Sequence, residues 1–155
     1  MEFESETYID APLEDVWEFH SGVEGLKRLT PGWMNLRLLE VENGDADELT
    51  EGSEIRLSVK PLGLLRVSWT STIVERESDF DEGRAFFVDE MERGPFEKWR
   101  HTHGFERSDG GTVMRDTVEY ESGKIPNSFV KLQLKGFFRY RHSKTKKILE
   151  DSDDD

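Results

Sequence analysis

Two histidines and an aspartate occupy positions where an interior is expected. In the stretch from Trp99 to Phe105, period-two alternation puts Trp99, His101, His103 and Phe105 on one face of a strand. Lys98, Arg100, Thr102, Gly104 and Glu106 form the other face, which suits water. A second strand carries Met114, Asp116, Val118 and Tyr120 on one side, against Val113, Arg115, Thr117 and Glu119. Between them stands Asp109-Gly110, a strong hairpin signal. A two-residue turn there pairs Phe105 with Met114, His103 with Asp116, His101 with Val118 and Trp99 with Tyr120; a turn shifted to Gly110-Gly111 puts Asp116 opposite Phe105 with His103 as its diagonal neighbour, and the faces survive either way. Directly opposed Cβ atoms lie about 4.5–5.5 Å apart, so carboxylate and imidazole reach one another. Phe87, Asp89 and Met91 share a face on the preceding strand and offer a second carboxylate.

Buried polar groups persist only when paired or when they face a solvated cavity. Four chemistries fit these residues. One is a satisfied polar network, and another is a polar patch that orients a ligand in an apolar pocket. A third is a catalytic acid–base pair, with His103 as base, Asp116 orienting it, and Tyr120 or His101 holding an enolate. The fourth is a metal site built from His101, His103 and a carboxylate. Spacing fixes no third ligand for it, and a lone His-x-His is a weak signal, so no metal and no cofactor is assigned. The sequence has no nucleophile elbow, phosphate-cradling glycine loop or dinucleotide fingerprint. It has no cysteine, hence no disulfide, thiol nucleophile or thiolate metal site. His20 and His142 stand alone and read as structural or exposed.

The elements that must position this face follow from local pattern. Residues 2–9 alternate as a half-exposed strand. Asp10-Ala11-Pro12 then opens a helix, with Asp10 or Ala11 near the cap and Glu14 and Asp15 complementing the dipole. Residues 23–29 form a second short helix, closed by Thr30-Pro31-Gly32. Strands are expected at 36–41, 53–59, 65–77, 84–91, 97–106 and 112–120. A long helix follows at 128–150, with Val130, Leu134, Phe137, Phe138, Arg141, Thr145 and Ile148 in one stripe. Its remaining surface is basic and answers the acidic body of the chain. The class is α+β. A sheet that is apolar on one face needs a helix to cover it, and the last helix is the only long one. One helix over a curved sheet leaves room for a ligand. Expected walls are Trp33, Phe87, Trp99, Phe105, Met114, Val118, Phe137 and Phe138, with Asp89, His101, His103, Asp116 and Tyr120 as polar contacts.

The 155 residues suit a single domain over 1–150, and the like-charge tail 151–155 is expected to be disordered. The net charge is −13, with 34 acidic residues spread along the chain and only nine lysines. Phosphate binding needs a basic footprint, so nucleic acid is excluded as a partner. The acidity reads as a solvated surface suited to high salt. Ten Phe and four Trp supply a core despite 34% hydrophobic content. No apolar run approaches the ~18 residues of a membrane span, and Met1-Glu2-Phe3-Glu4 does not open a signal peptide. A cytoplasmic location and a hydrophobic small-molecule partner are therefore expected. A protein partner is left open, and the basic last helix, with Lys144, Lys146 and Lys147, is the surface that would take one.

The segment Ile9-Asp10-Ala11-Pro12-Leu13-Glu14-Asp15-Val16-Trp17-Glu18-Phe19 resembles the start of SRPBCC domains, the START and birch-pollen-allergen-like superfamily. Phe87, Asp89, Gly94-Pro95-Phe96, Trp99, His101, His103, Phe105, Gly111-Thr112, Met114, Asp116, Val118 and Tyr120 resemble its polyketide cyclase/dehydrase-like branch. Some domains of that branch are fused to sugar-epimerase-like proteins. The resemblance covers nearly the whole chain. It implies a helix-grip fold: a seven-stranded antiparallel sheet around a long C-terminal helix, with two short helices between strands 1 and 2. It further implies a deep apolar cavity for a lipid, quinone, isoprenoid, hormone or polyketide, and in a minority of members cyclisation or dehydration. Trp99, His101, His103, Met114, Asp116 and Tyr120 would face that cavity.

Overall fold

A computed structural model describes residues 1–151 of the chain. Chain order is β1 (Glu2–Ile9), α1 (Leu13–Phe19), α2 (Val23–Leu29), one 3-10 turn (Gly32–Met34), β2 (Arg37–Glu42), β3 (Glu54–Val59), β4 (Val67–Asp79), β5 (Arg84–Arg93), β6 (Lys98–Ser108), β7 (Gly111–Glu121) and α3 (Asn127–Asp151). The seven strands form one antiparallel sheet in the order β1-β7-β6-β5-β4-β3-β2. The first strand thus pairs with the last, and α1 and α2 carry the chain from one sheet edge to the other.

Local chemistry explains the boundaries. Pro12 itself is the N-cap of α1, one residue after Ala11 and two after Asp10, the expected caps, and Glu14 and Asp15 lie in the first turn. Gly25 lets α2 back onto α1, since a Cβ there would sit 2.2 Å from the Phe19 carbonyl oxygen. β4 begins at Val67 instead of residue 65, because Leu64 and Leu65 stand exposed in the β3–β4 turn. At the last hairpin Asp109 and Gly110 both take positive φ, 48° and 81°, as a primed two-residue turn requires. That turn locks the β6–β7 register: Phe105 faces Met114, His103 faces Asp116, His101 faces Val118 and Trp99 faces Tyr120.

Two apolar clusters lie between the sheet and the helices. In one, Trp17 of α1 meets Phe87 and Phe105 edge-on, with ring centroids 6.0 and 5.7 Å away. The other joins Phe3, Trp99, Val118 and Tyr120 of the sheet to Val130, Leu134 and Phe138 of α3. The buried side of α3 also includes Arg141, His142 and Thr145, while Phe137 is half-buried. Asp151 is the last residue of α3, and the rest of the expected tail, 152–155, lies outside the described residues. No helix among the described residues is long and apolar enough to cross a membrane.

Candidate functional site

Between the two clusters β5, β6 and β7 present a polar seam under α3. His101, His103 and Asp116 are buried and Asp89 nearly so. The two imidazoles stack with centroids 3.6 Å apart, as alternate residues on one strand face permit. Phe87 lies flat on His103 at 3.9 Å, and Phe138 meets His101 edge-on at 5.2 Å.

The carboxylates pair crosswise. Asp116 stands opposite His103 in the register, yet its Oδ1 accepts from His101 Nε2 at 2.7 Å. Asp89 stands opposite His101, yet its Oδ2 accepts from His103 Nε2 at 2.6 Å. The expected His103–Asp116 bond is therefore replaced by a 3.6 Å approach of His103 Nδ1 to Asp116 Oδ1. Strand twist and the lean of side chains along the strand bring diagonal neighbours together. Ser71 of β4 donates to Asp89 Oδ1 at 3.1 Å.

Helix α3 supplies two members that the strand pattern does not reveal. His142 Nε2 donates to Asp116 Oδ2 at 2.6 Å, and its Nδ1 stands 3.5 Å from Ser5 Oγ of β1. His142 is thus a buried member of the network, not an isolated residue. The signal was its position four residues after Phe138 and three before Thr145, on the stripe of the helix. The guanidinium of Arg141 is buried too; desolvation lowers its pKa, and the charges of Asp116 and Asp89 offset only part of that. His20 is also buried, donating Nδ1–H to the Val16 carbonyl at 2.8 Å beside Phe105.

Burial acts on each charge. It alone would raise the Asp116 carboxyl, but hydrogen bonds from His101 and His142 outweigh it and hold this group well below the usual carboxylate range. Asp89 is lowered as well, since bonds from His103 and Ser71 and the nearby imidazoles outweigh its burial. Desolvation pushes His103 down to about 4, so its ring is neutral at pH 7, and lowers His20 to about 4. A carboxylate only accepts, so His101, His103 and His142 each carry the proton on the nitrogen that touches Asp116 or Asp89.

The other expected residues divide into two groups. Phe87, Trp99, Phe105, Met114, Val118, Tyr120 and Phe138 are all buried around the seam. The Tyr120 hydroxyl is buried with no hydrogen-bond partner among the described residues. Trp33 lies apart, 60% exposed on the 3-10 turn, where a Cβ added to Gly63 of the β3–β4 turn would come 3.7 Å from its ring. A groove of about 600 Å³ opens between β1 and α3, lined by Phe3, Ser5, Thr7 and His142 among others. Glu2, Glu4 and Glu6 rim one side of it, and Lys131, Lys135, Arg139 and Lys146 the other. The basic helix face thus meets acids of its own chain across this cleft.

A curved antiparallel sheet closed by one long helix over a buried His–Asp seam defines a helix-grip protein. The family model for polyketide cyclase / dehydrase and lipid transport matches residues 9–139, and the chain belongs to that family. Solved structures share the fold. The protein TTHA0849 from Thermus thermophilus is 23% identical, with 98% of this chain and 99% of that one covered at a TM-score of 0.71. A START superfamily protein from Mycobacterium smegmatis is 14% identical, with 97% of each chain covered and a TM-score of 0.70. A nucleoside-diphosphate sugar epimerase from Corynebacterium glutamicum is 25% identical with a TM-score of 0.62; the alignment covers 96% of this chain but 29% of that one. No protein of curated function matches the sequence.

Proposed function

We propose that residues 1–150 act as one binding domain for a hydrophobic small molecule with a polar end, of lipid, quinone, isoprenoid or polyketide type, held between sheet and α3. The observation that carries this reading is the Tyr120 hydroxyl. It lies in an apolar cluster of Phe3, Trp99, Val118, Val130, Leu134 and Phe138, and it lacks a partner among the described residues. A buried hydroxyl left unpaired costs about 1–3 kcal/mol, which an oxygen on a bound ligand would recover. The groove between β1 and α3 is the entry route, and its volume suits a small molecule. Phe3, which lines the groove, stacks on the buried Phe138, 5.6 Å between centroids. Ser5 and His142 line the same groove and lead to Asp116.

The family's cyclase and dehydratase chemistry would use the same seam, with His103 now oriented by Asp89. A general base works best with a pKa near the working pH, and His103 at about 4 is a weak one. Binding without turnover is therefore the better supported reading. Native mass spectrometry on protein purified from its own host tests it. One copurifying organic molecule per chain, lost in Phe138→Trp, is the expected result. Protein that is empty in every preparation and binds no member of a lipid and quinone panel refutes it.

A further inference from the structure

We propose that Asp89, His101 and His103 form a binding site for one divalent transition-metal ion of the zinc type, with Asp116 and Ser71 holding the ligands in place. It stands independently of the small-molecule reading.

The three donors come from adjacent strands and converge: one ligand atom from each residue lies within 4.8 Å of the other two. Asp89 Oδ2 is 2.6 Å from His103 Nε2 and 3.7 Å from His101 Nδ1. A tetrahedral ion with bonds near 2.0–2.1 Å needs donors about 3.3 Å apart, between those two distances. Sub-ångström side-chain shifts therefore admit the ion. Two imidazoles and one carboxylate are the donor set that zinc and its neighbours prefer over magnesium or calcium.

Asp116 makes the site more than a chance cluster. Its Oδ1 faces His101 Nε2 at 2.7 Å and His103 Nδ1 at 3.6 Å. One oxygen can thus take an N–H from each ring, which turns the opposite nitrogen of both rings, unprotonated, toward Asp89. His103 reaches this arrangement by moving its proton from Nε2 to Nδ1. A neutral His101 needs no such move: with Nε2–H held by Asp116, its Nδ1 lone pair faces an Asp89 oxygen at 3.7 Å. Two acceptors facing one point repel unless a cation or a proton lies between them. A carboxylate behind a histidine ligand is the usual device for fixing tautomer and ring orientation at metal centres. Ser71, donating to Asp89 Oδ1, leaves Oδ2 for the ion in the same way. Charge agrees as well. Asp89 and Asp116 bring two carboxylates together, while Arg141 is the one buried guanidinium or ammonium among the described residues.

Three protein donors leave a fourth position for water or for an oxygen of a bound molecule. Phe87 and Phe138 pack on the imidazoles and keep the surroundings apolar.

The test uses chelator-stripped full-length protein titrated with zinc and with cobalt(II). The expected result is one tightly held ion per chain, not displaced by excess magnesium. Cobalt should give the visible spectrum of a low-coordinate nitrogen–oxygen site and paramagnetically shifted N–H resonances from two imidazoles. Asp89→Asn and His103→Gln should lose the ion, and Ser71→Ala should weaken it about tenfold or more, as expected of an orienting partner. The chain is strongly acidic, so zinc uptake that survives in the His101→Gln, His103→Gln double variant would mean surface carboxylates and would overturn the proposal. Should the variants unfold, the cobalt spectrum of the unmodified protein decides: no shifted imidazole resonances, no site. An organic ligand retained by metal-free protein would uphold the small-molecule reading whatever the metal result.

Discussion

Replacing Asp116 tests the wiring of the seam most directly. Its carboxylate accepts from His101 Nε2 at 2.7 Å and from His142 Nε2 at 2.6 Å, and its charge favours the cationic form of the buried Arg141 guanidinium. Asp116→Ala strands two N–H groups and leaves Arg141 with only Asp89 as counter-charge in the seam. Removing one partner from a buried, hydrogen-bonded charge set costs about 3–5 kcal/mol. Asp116→Asn should cost less. The amide offers one acceptor and one donor, so one imidazole must change tautomer. His142 can do so, since its Nδ1–H would then point to Ser5 Oγ at 3.5 Å. Two bonds then fall from charge-assisted strength, about 1.5–3 kcal/mol, toward the neutral 0.5–1.5, a loss of roughly 2–3 kcal/mol in total. At about 2–4 °C per kcal/mol for a chain of this size, the alanine variant should melt roughly 6–20 °C lower. Urea titration followed by tryptophan fluorescence, with an unchanged m-value, measures both costs. An alanine variant within about 1 kcal/mol of the parent would refute the argument, because it would mean that neither imidazole depends on this carboxylate.

Three further outcomes follow from the same geometry. His20 is lowered to about 4 from its ordinary value of 6.5, mainly by desolvation, with Arg141 on α3 and His103 on β6 also lowering it while the Val16 carbonyl of α1 and Asp116 on β7 raise it. As pH falls below the unfolded value the unfolded chain takes the proton first, so stability is lost between pH 6.5 and about 4, by about 3 kcal/mol from this group alone. His20→Gln should flatten that acid limb in urea midpoints measured across the window, and parallel limbs would contradict it. Tyr120→Phe removes a hydroxyl that is buried without a partner among the described residues, so ligand-free protein should be unchanged or about 1 kcal/mol more stable while affinity for the bound molecule falls; a clear loss of stability in ligand-free protein would show that the hydroxyl is already paired. With a net charge of −13, the chain should melt higher in about 2 M than in about 0.1 M KCl, since salt screens its self-repulsion, and a melting temperature no lower at the dilute end would sink the high-salt reading.

The faces were legible in the sequence because they are set locally, and the β6–β7 register was narrowed to two turn placements, of which the structure takes Asp109-Gly110. Alternation decides which side of a strand a residue takes. Asp109-Gly110 accepts positive φ at both positions, so it fixes the β6–β7 pairing to the residue. The four-residue spacing of Val130, Leu134 and Phe138 likewise settles which side of α3 is buried. The β4 start was misplaced because Leu64 and Leu65 read as strand residues, although nothing covers them.

Partners, in contrast, were decided by tertiary structure. Cα register put Asp116 opposite His103, but strand twist gave its carboxylate to His101 and gave Asp89 to His103. The roll of α3 over the sheet brought His142 and Arg141 down onto the seam, and no residue spacing encodes that angle. The groove between β1 and α3 depends on how a 25-residue helix lies along an edge strand that pairs with the far end of the chain. Side-chain alternation is a property of each strand alone. Which donor meets which acceptor depends on three strands and a helix at once.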